Sequence, residues 1–585
     1  MTADAAAERF QTALGLSPVF ARLLAARGWR ETAELTAFLF PRLEHTHAPG
    51  LMLGMEAAVR RIQQALATGE SIRILGDYDA DGTLATVILR QALASLGARV
   101  SYHLPERLSE GYGLHRAAIE AAAADGVTLA ITVDTGIREL EPIRRARELG
   151  MDVIVTDHHL PGPTLPPALA ILNPHQPGCG YPDKGLCGSA VAFKLAQALL
   201  ERGGKLNGEA WPPGLRSYLK LVALGTVADA VPLLGENRIL ARFGLQGLAD
   251  PVNPGLRALL ALALPPGRTQ VSARDVAFGI APRLNAAGRL GRADRIVELF
   301  SAPTAQAVAL AQELDALNLE RQRLCAAILA EIENRGAGWD DSVLVLAGEG
   351  WHRGVLGIVA SRVLERSGRP ALIVALENGT AYGSGRAPVG THLLQLLEGC
   401  ADLFDRYGGH AQAVGFALPA AKLDELRSRL AAAADAPSSA PPAAEHRFEV
   451  SLKELTLGFG RELARLEPYG EANPEPVFFA RGVTLAAPPA QLKERHLKLQ
   501  IEQDGQSHTA LFWNLWRDGV YQAPPRRAKW EALQAGVRLD LEFRLEANSH
   551  PQYGERLQLI LREFSVTSAP AGESYRAAAH TRAVE

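Results

Sequence analysis

Three short apolar runs, at residues 72–75, 129–133 and 153–155, are separated by stretches of helical spacing at 57–67, 83–96, 119–124 and 140–149. No other feature constrains the fold as much, because strands alternating with crossover helices build a parallel, doubly wound sheet. Each run also ends on chemistry. The first leads into Asp77-Tyr78-Asp79-Ala80-Asp81-Gly82, the second into Asp134-Thr135-Gly136, and the third into Asp157-His158-His159. A fourth apolar stretch, 221–227, ends at Ala228-Asp229. In an open parallel sheet, side chains beyond the carboxyl ends of the strands converge on one crevice. Carboxylates joined by one or two imidazoles suit Mn2+ or Mg2+ rather than a thiolate zinc site. Two such ions a few Å apart form the clamp used to hydrolyse phosphate esters.

Each motif alone also has a plainer reading. Asp77, Asp79 and Asp81 alternate, so in an extended stretch they would share one face and repel unless a cation compensates. The same residues make a solvated turn and a helix N-cap. They also resemble the start of a calcium loop, but Ile88 stands where the bidentate Glu belongs. Asp134 before Thr-Gly is a plausible N-cap. For Asp157-His158-His159, a neutral imidazole ligates metal well and a neighbouring carboxylate fixes its tautomer.

At 585 residues the chain needs several cores. With 47 % hydrophobic and 21 % charged residues it is not a disordered polymer. No uninterrupted apolar stretch reaches the length of a membrane span, about 20 residues. The start, MTADAAAERFQTALG, lacks the basic and apolar regions of a secretory signal. The four cysteines, Cys179, Cys187, Cys325 and Cys400, form no Cys-x-x-Cys pair, which argues for reduced structural thiols in a cytoplasmic protein. A net charge of −3 weighs against a protein that coats nucleic acid non-specifically but allows local basic channels.

The expected organisation is a helical N-terminal segment at 1–50, a catalytic α/β domain at 51–235, and a helical connector at 236–340. The connector ends in one long helix from about 304 to 334, read from Val308, Leu310, Leu314, Leu317 and Leu324. A second α/β lobe follows at 341–434, then a linker at 435–475 containing DAPSSAPPAA. Short alternating segments at 476–566 predict a small β-barrel, and 567–585 read as a disordered tail.

Taken in order, DYDADG, VDTG, TDHH and GTVAD resemble the four motifs of the DHH phosphoesterase superfamily. GSGRA at 383–387 and GGHAQAVGF at 408–416 resemble its accessory DHHA1 domain. Four further stretches resemble the RecJ family within it, bacterial single-strand-specific 5′→3′ DNA exonucleases. These are PERLSEGYG at 105–113, PRLNAAGRLG at 282–291, WHRGVLGIVASR at 351–362 and LEPYGEANPEPVF at 466–478. The resemblance spans roughly residues 50–565. It implies an α/β fold with a parallel-sheet DHH lobe, a long helix to a DHHA1 lobe, and a C-terminal OB-like β-barrel.

Carried over residue by residue, the resemblance implies metal ligands Asp77, Asp79, Asp81, Asp134, His158 and Asp229, with His159 beside them. The cofactor would be Mn2+ or Mg2+, as two ions sharing Asp134 and activating a water. Asp134, Asp79 and His159 would carry the chemistry, His159 by orienting the phosphate or assisting proton transfer. Many superfamily members have a histidine four residues before the middle Asp of motif one; here that position is Leu75, and Asp77 is the residue able to fill the gap. Ser384, Arg386 and His410, with Arg107, Arg283 and Arg289, would receive a terminal or scissile phosphate. Lys493, Arg495, His496 and Lys498 near Phe512, Trp513 and Trp516, and a second basic cluster at Arg526, Arg527 and Lys529, are candidate strand contacts on the barrel. Phe512 and Trp513 cannot both face inward on one strand. The implied partner is single-stranded DNA, with a single-strand-binding protein and a helicase as further candidates, no membrane, and a monomeric chain. Two rival readings are a superfamily phosphodiesterase acting on short oligonucleotides or cyclic dinucleotides, and a non-catalytic nucleic-acid scaffold.

Overall fold

The computed structural model describes residues 2–107, 109–111, 113–205, 211–268, 270–335, 341–433, 447–493, 496–513, 533–550 and 554–568. The chain divides into two compact units, one of residues 43–441 with 470–472, the other of 1–42, 442–469 and 473–585.

The first unit is built on two sheets. The first sheet has five strands, β1 (Ser71–Gly76), β2 (Arg99–His103), β3 (Val127–Val133), β4 (Asp152–Thr156) and β5 (Ala170–Leu172), in the order β2-β1-β3-β4-β5. All pairs are parallel. Successive residues point to opposite faces. Ile72, Ile74, Leu129, Ile131 and Ile154 therefore pack under the helices Ala80–Ser95 and Gly188–Arg202, while Leu75, Ala130, Val153 and Val155 meet Ile119 and Ile143 on the other face. Strand order reverses between β1 and β3, and that switch point is where an open α/β sheet leaves a crevice. Strands β2 and β5 were not expected: β2 is a half-exposed edge without an apolar run, and β5 is only three residues long, within the short run 168–172.

The helix Thr304–Arg335 links this sheet to the next. Its first half places Ala307, Ala311 and Leu314 in the first core, and its second half places Cys325, Ile328, Leu329 and Ile332 in a core with the second sheet. Val308, expected on the apolar stripe, is 50 % exposed; the small Ala307 and Ala311 make the contact instead. The second sheet runs β6-β7-β8-β10-β9, from β6 (Leu344–Glu349), β7 (Ala371–Glu377), β8 (Thr380–Arg386), β9 (Arg406–Gly409) and β10 (Ala413–Pro419). Only β6 and β7 pair in parallel.

In the second unit, β12 (Val477–Leu485), β14 (His496–Gln503), β15 (Gln506–Phe512), β16 (Arg538–His550) and β17 (Gly554–Ser568) close a ring β12-β16-β17-β15-β14-β12, the connectivity of an OB-type barrel. Two short strands, β11 (Arg447–Glu449) and β13 (Ala490–Leu492), extend the sheet. The barrel core is not closed by strands alone. Phe10, Phe20 and Leu24 of the N-terminal helices and Phe459, Leu463 and Leu466 share it with Phe478, Leu541 and Phe543. The stretch read as a linker therefore holds β11 and the helix Leu457–Leu463, and the N-terminal segment is part of the barrel body. Residues 434–446 of that linker and the tail beyond 568 lie outside the described residues. Among the described residues, no helix is long and apolar enough to cross a membrane.

Candidate active site

Where β1 ends, the chain turns at once into a helix. Asp79 is its N-cap and accepts the Gly82 N–H at 2.9 Å, so Asp81 lies in the first turn. Of the two readings of motif one, the helix N-cap forms at Asp79; because the helix starts at Ala80, the three carboxylates do not line one extended face. Asp81 is gathered in by a different route: its two oxygens accept the Gly188 and Ser189 amides, at 2.6 and 3.0 Å, at the N-terminus of the helix Gly188–Arg202. Asp134 follows β3 with φ of 60°, a left-handed conformation that Asp tolerates better than most residues. Its carboxylate reaches so close to Gly188 that a Cβ there would sit 2.5 Å from Asp134 Oδ1. His158 and His159 follow β4, and Asp229 caps the carboxyl end of the helix Pro213–Ala228.

These ends converge. Three sets of donor atoms lie within 4.8 Å of one another: Asp77, Asp79 and Asp134; Asp81, His158 and Asp229; and Asp134, His158 and His159. All six residues expected as ligands are in these sets, and Asp134 and His158 each belong to two. His158 Nε2 is 3.1 Å from Asp134 Oδ1 and 3.5 Å from Asp229 Oδ2. Asp77 Oδ1, Asp134 Oδ1 and His158 Nε2 are buried without a hydrogen-bond partner. Burial, and after it the neighbouring carboxylates, push Asp77, Asp79 and Asp134 above the usual carboxylate range and Asp229 up to about 8. Burial holds His158 below its ordinary value, hence neutral and able to ligate. Hard donors, orphaned buried atoms and mutually repelling carboxylates fit a pair of divalent cations. Leu75 is buried among apolar side chains, and Asp77 stands with Asp79 and Asp134 in one of the donor sets.

His159 differs from His158. Its Nδ1 meets Asp157 Oδ1 at 2.8 Å, and buried Asp157 also accepts the amides of Ile137, His158 and His159. Burial opposes charge on both groups, but the ion pair outweighs it: Asp157 is held low and His159 is pushed up to about 9.

Beside this acidic centre lies a group of arginines. The helix Ala281–Arg289 is pinned to motif one by Asn285, whose Oδ1 accepts the Ala80 amide at 3.0 Å, and by Gly288, where a Cβ would lie 2.1 Å from the Tyr78 carbonyl oxygen. Arg289 at its end is lowered to about 10, first by burial and then by Arg107, Arg386 and Arg321. Arg386 is also lowered, by burial and by Arg107. Arg107 lies 5.1 Å over the Tyr78 ring. At the N-terminus of the helix Leu356–Ser367, which has no side-chain cap, the space of the missing Gly357 side chain is bordered at 3.1 Å by both Ser384 Oγ and Arg386 Nη2. The helix continues from the 3-10 turn Arg353–Val355, whose Gly354 amide donates to His352 Nδ1 at 3.1 Å; a hydroxyl and guanidiniums beside it have the chemistry to receive an anion.

Arg283 does not join this group. Asp315 takes its Nε at 2.8 Å, and the carbonyls of Gly279 and Leu262 take its other nitrogens. His410 is exposed at the end of β9 and is lowered by burial and then by Arg138 and His159. Arg321, Asn285 and Arg138 were not singled out from sequence. Asn285 lay inside a recognised stretch, whereas Arg321 sits mid-helix with no local pattern to mark it.

On the barrel, Phe512 is in the core and Trp513, one residue on, is 45 % exposed and meets His496 edge-on at 4.7 Å. Lys493 is exposed in a turn, and Lys498 lies on the outer face of β14 between buried Leu497 and Leu499. Arg495, Trp516, Arg526, Arg527 and Lys529 lie outside the described residues.

Comparison with known proteins adds independent findings. The DHH family N-terminal domain matches residues 71–226, the DHHA1 domain 340–435 and the RecJ OB domain 448–563. The single-stranded-DNA-specific exonuclease RecJ of Dickeya dadantii is 40 % identical over 512 residues, covering 84 % of this chain and 88 % of that protein. The Bacillus subtilis protein of the same name is 39 % identical over 504 residues; the match covers 84 % of this chain but 62 % of that longer protein. The structure of RecJ from Thermus thermophilus in complex with Mn2+ superposes with a TM-score of 0.77 at 33 % identity, covering 98 % of this chain and 79 % of that one.

Proposed function

The chain belongs to the RecJ family of single-stranded-DNA-specific exonucleases, and from that premise we propose that it hydrolyses single-stranded DNA from the 5′ end. The products are nucleoside 5′-monophosphates, and the role is resection in recombination and repair. The observation that carries this reading is the adjacency of two sites of opposite charge: the donor sets around Asp134 and His158, and the guanidiniums of Arg107, Arg289 and Arg386.

Asp77, Asp79, Asp81, Asp134, His158 and Asp229 would hold Mn2+ or Mg2+, two ions that supply Lewis-acid charge neutralisation and a water of lowered pKa. The remaining work falls to the chain. Arg386, Ser384, Arg289, Arg107 and the start of the helix Leu356–Ser367 hold the 5′-terminal phosphate and so count cleavage from the end. His159, aimed by Asp157, orients a non-bridging oxygen of the scissile phosphate or assists proton transfer to the leaving 3′-oxygen. Breaking the P–O3′ bond leaves a 5′-phosphate on the shortened strand, which re-enters the same pocket. The barrel offers exposed Trp513 and half-buried Lys498 to a longer strand. A dinucleotide needs no such surface, which disfavours the short-substrate rival. Crowded carboxylates disfavour the scaffold, since keeping them without a cation costs free energy. Partners suggested by the family resemblance are a single-strand-binding protein and a helicase, for a monomeric cytoplasmic enzyme.

The test is digestion of 5′-labelled single- and double-stranded 40-mers with and without Mn2+. Metal-dependent release of labelled mononucleotide from the single strand alone is expected. Release of internal fragments, or equal rates on a 5-mer and a 40-mer, would overturn the reading.

A further inference from the structure

The loop between β2 and the helix Arg116–Ala124 carries Arg107 into the phosphate pocket, and its described residues belong to no strand or helix. One side chain closes it. Glu110 Oε1 accepts the Glu106 amide at 2.9 Å, while the Glu110 and Gly111 amides donate back to the Glu106 carbonyl at 2.8 and 3.2 Å. Glu110 Oε2 meets His103 Nε2, on the last residue of β2, at 3.2 Å. Ser109 Oγ donates to the Glu106 carboxylate at 2.9 Å, tightening the same turn. Arg107 is the residue that follows Glu106 and lies over the Tyr78 ring.

The geometry points to Glu110 as a positioning residue for recognition of the 5′ end: we infer that its carboxylate, holding the Glu106 amide and His103, fastens Glu106 to β2 and so holds the adjoining Arg107 guanidinium where a terminal phosphate binds. This rests on the pocket reading given above. Glu110 itself lies outside every set of metal-donor atoms, and nothing places it on the substrate. Its charge has the wrong sign for a phosphate contact, so its effect must pass through the loop. An arginine has several rotatable bonds, and a guanidinium spread over many positions loses the preorganisation that makes a charge-assisted contact strong.

The experiment compares the full-length chain with Glu110→Ala, Glu110→Gln, Arg107→Ala and the Glu110→Ala/Arg107→Ala double variant. KM and kcat are measured on 5′-phosphorylated and 5′-hydroxyl single strands, with melting temperature as the check on folding. Expected for Glu110→Ala is a KM raised about tenfold on 5′-phosphorylated strands, kcat within about twofold, and little change on 5′-hydroxyl strands. Glu110→Gln, which keeps the acceptor for the Glu106 amide, should recover most of that loss. The double variant should be no worse than Arg107→Ala alone, the signature of two residues acting through one contact. Additive losses in the double variant, or equal losses on both kinds of end, would assign Glu110 a general structural role and overturn the inference while leaving the pocket standing. If Arg107→Ala leaves the preference for phosphorylated ends intact, the pocket reading falls and the positioning role falls with it.

Discussion

Asp134 is the residue on which the acidic centre turns. It belongs to two donor sets, one of its oxygens is buried without a partner, and its backbone is left-handed. Asn keeps the size and tolerates the conformation, so Asp134→Asn isolates the lost charge. Nuclease activity should fall at least about a thousandfold, because one change weakens both metal sites at once. The metal-free variant should melt no lower than wild type, since a crowded buried charge has gone, but Mn2+ should raise its melting temperature less. Activity within tenfold of wild type would remove Asp134 from the bridging role. Arg386 tests the other charge. Arg386→Ala forfeits a charge-assisted phosphate contact worth about 1.5–3 kcal/mol, so KM on 5′-phosphorylated strands should rise while Mn2+ affinity, read by calorimetry, stays put. Unchanged kinetics on those strands would count against the pocket. At this scale the sequence was legible where residue type and strand end coincided. The four acidic motifs are the clearest case. It was not legible for Arg321, which the long helix carries to the pocket across about 26 Å of axis from Thr304, nor for Arg283, whose motif position suggested phosphate while the fold had Asp315 waiting for it.

At the scale of elements, Glu70 ties the entry of β1 to its neighbours. It accepts hydrogen bonds from Arg61 on the preceding helix at 2.6 Å, from Thr128 at the start of β3 at 2.5 Å, and from Thr68 at 2.9 Å. The Arg61 hydrogen bond first, then Thr128, lower it from 4.5 to about 2. A carboxyl whose folded pKa lies below its unfolded value contributes stability above the unfolded pKa, and loses it as pH falls through the folded one. Between pH 4.5 and 2 the wild-type chain should therefore lose stability that Glu70→Gln has already lost. The variant should melt lower at pH 7, with the two curves converging toward pH 2. Parallel curves throughout would show that the ion pair is fully screened. The strands β1, β3 and β4 were readable because most of their residues are buried and their runs at 72–75, 129–133 and 153–155 are mainly apolar, Arg73 being the one charge in them. Strand β2 was not, since an edge strand half open to solvent has no such requirement. The start of the helix Ala80–Ser95 was legible only in outline, read from residue 83 with an N-cap among the aspartates, because capping and metal binding ask for the same residue type and Asp79 does the capping.

At the scale of the whole molecule, chain order and folding units disagree. Residues 43–441 form one body, but the helices at 1–42 belong with the barrel at the other end of the sequence. Periodicity shows that those helices are amphipathic and cannot show which distant surface covers them. Ser17 donates from both its amide and its hydroxyl to Glu462, and Arg27 donates to Asn473 at 2.8 Å, beneath a shared core of Phe10, Phe20, Phe459 and Phe478. A cut at residue 445 alone would therefore strip those helices of the surface they bury, exposing several large side chains at roughly 1.5–3 kcal/mol each. It should yield an aggregating protein. Removing 1–42 together with 445–585 leaves every proposed metal and phosphate residue in place and takes away the barrel body, along with the three residues 470–472 that pack with the other unit. The truncated chain 43–444 should melt cooperatively and cleave a 5-mer at a rate within a few-fold of the full chain. It should bind a 40-mer more weakly, with a flatter dependence on salt, because phosphates no longer neutralised by the barrel keep their counterions. Fluorescence anisotropy at two salt concentrations reads both effects. If the folded 43–444 chain binds the 40-mer as tightly and with the same salt slope as the full chain, the barrel does not hold DNA, and Trp513 and Lys498 are surface residues of a structural domain.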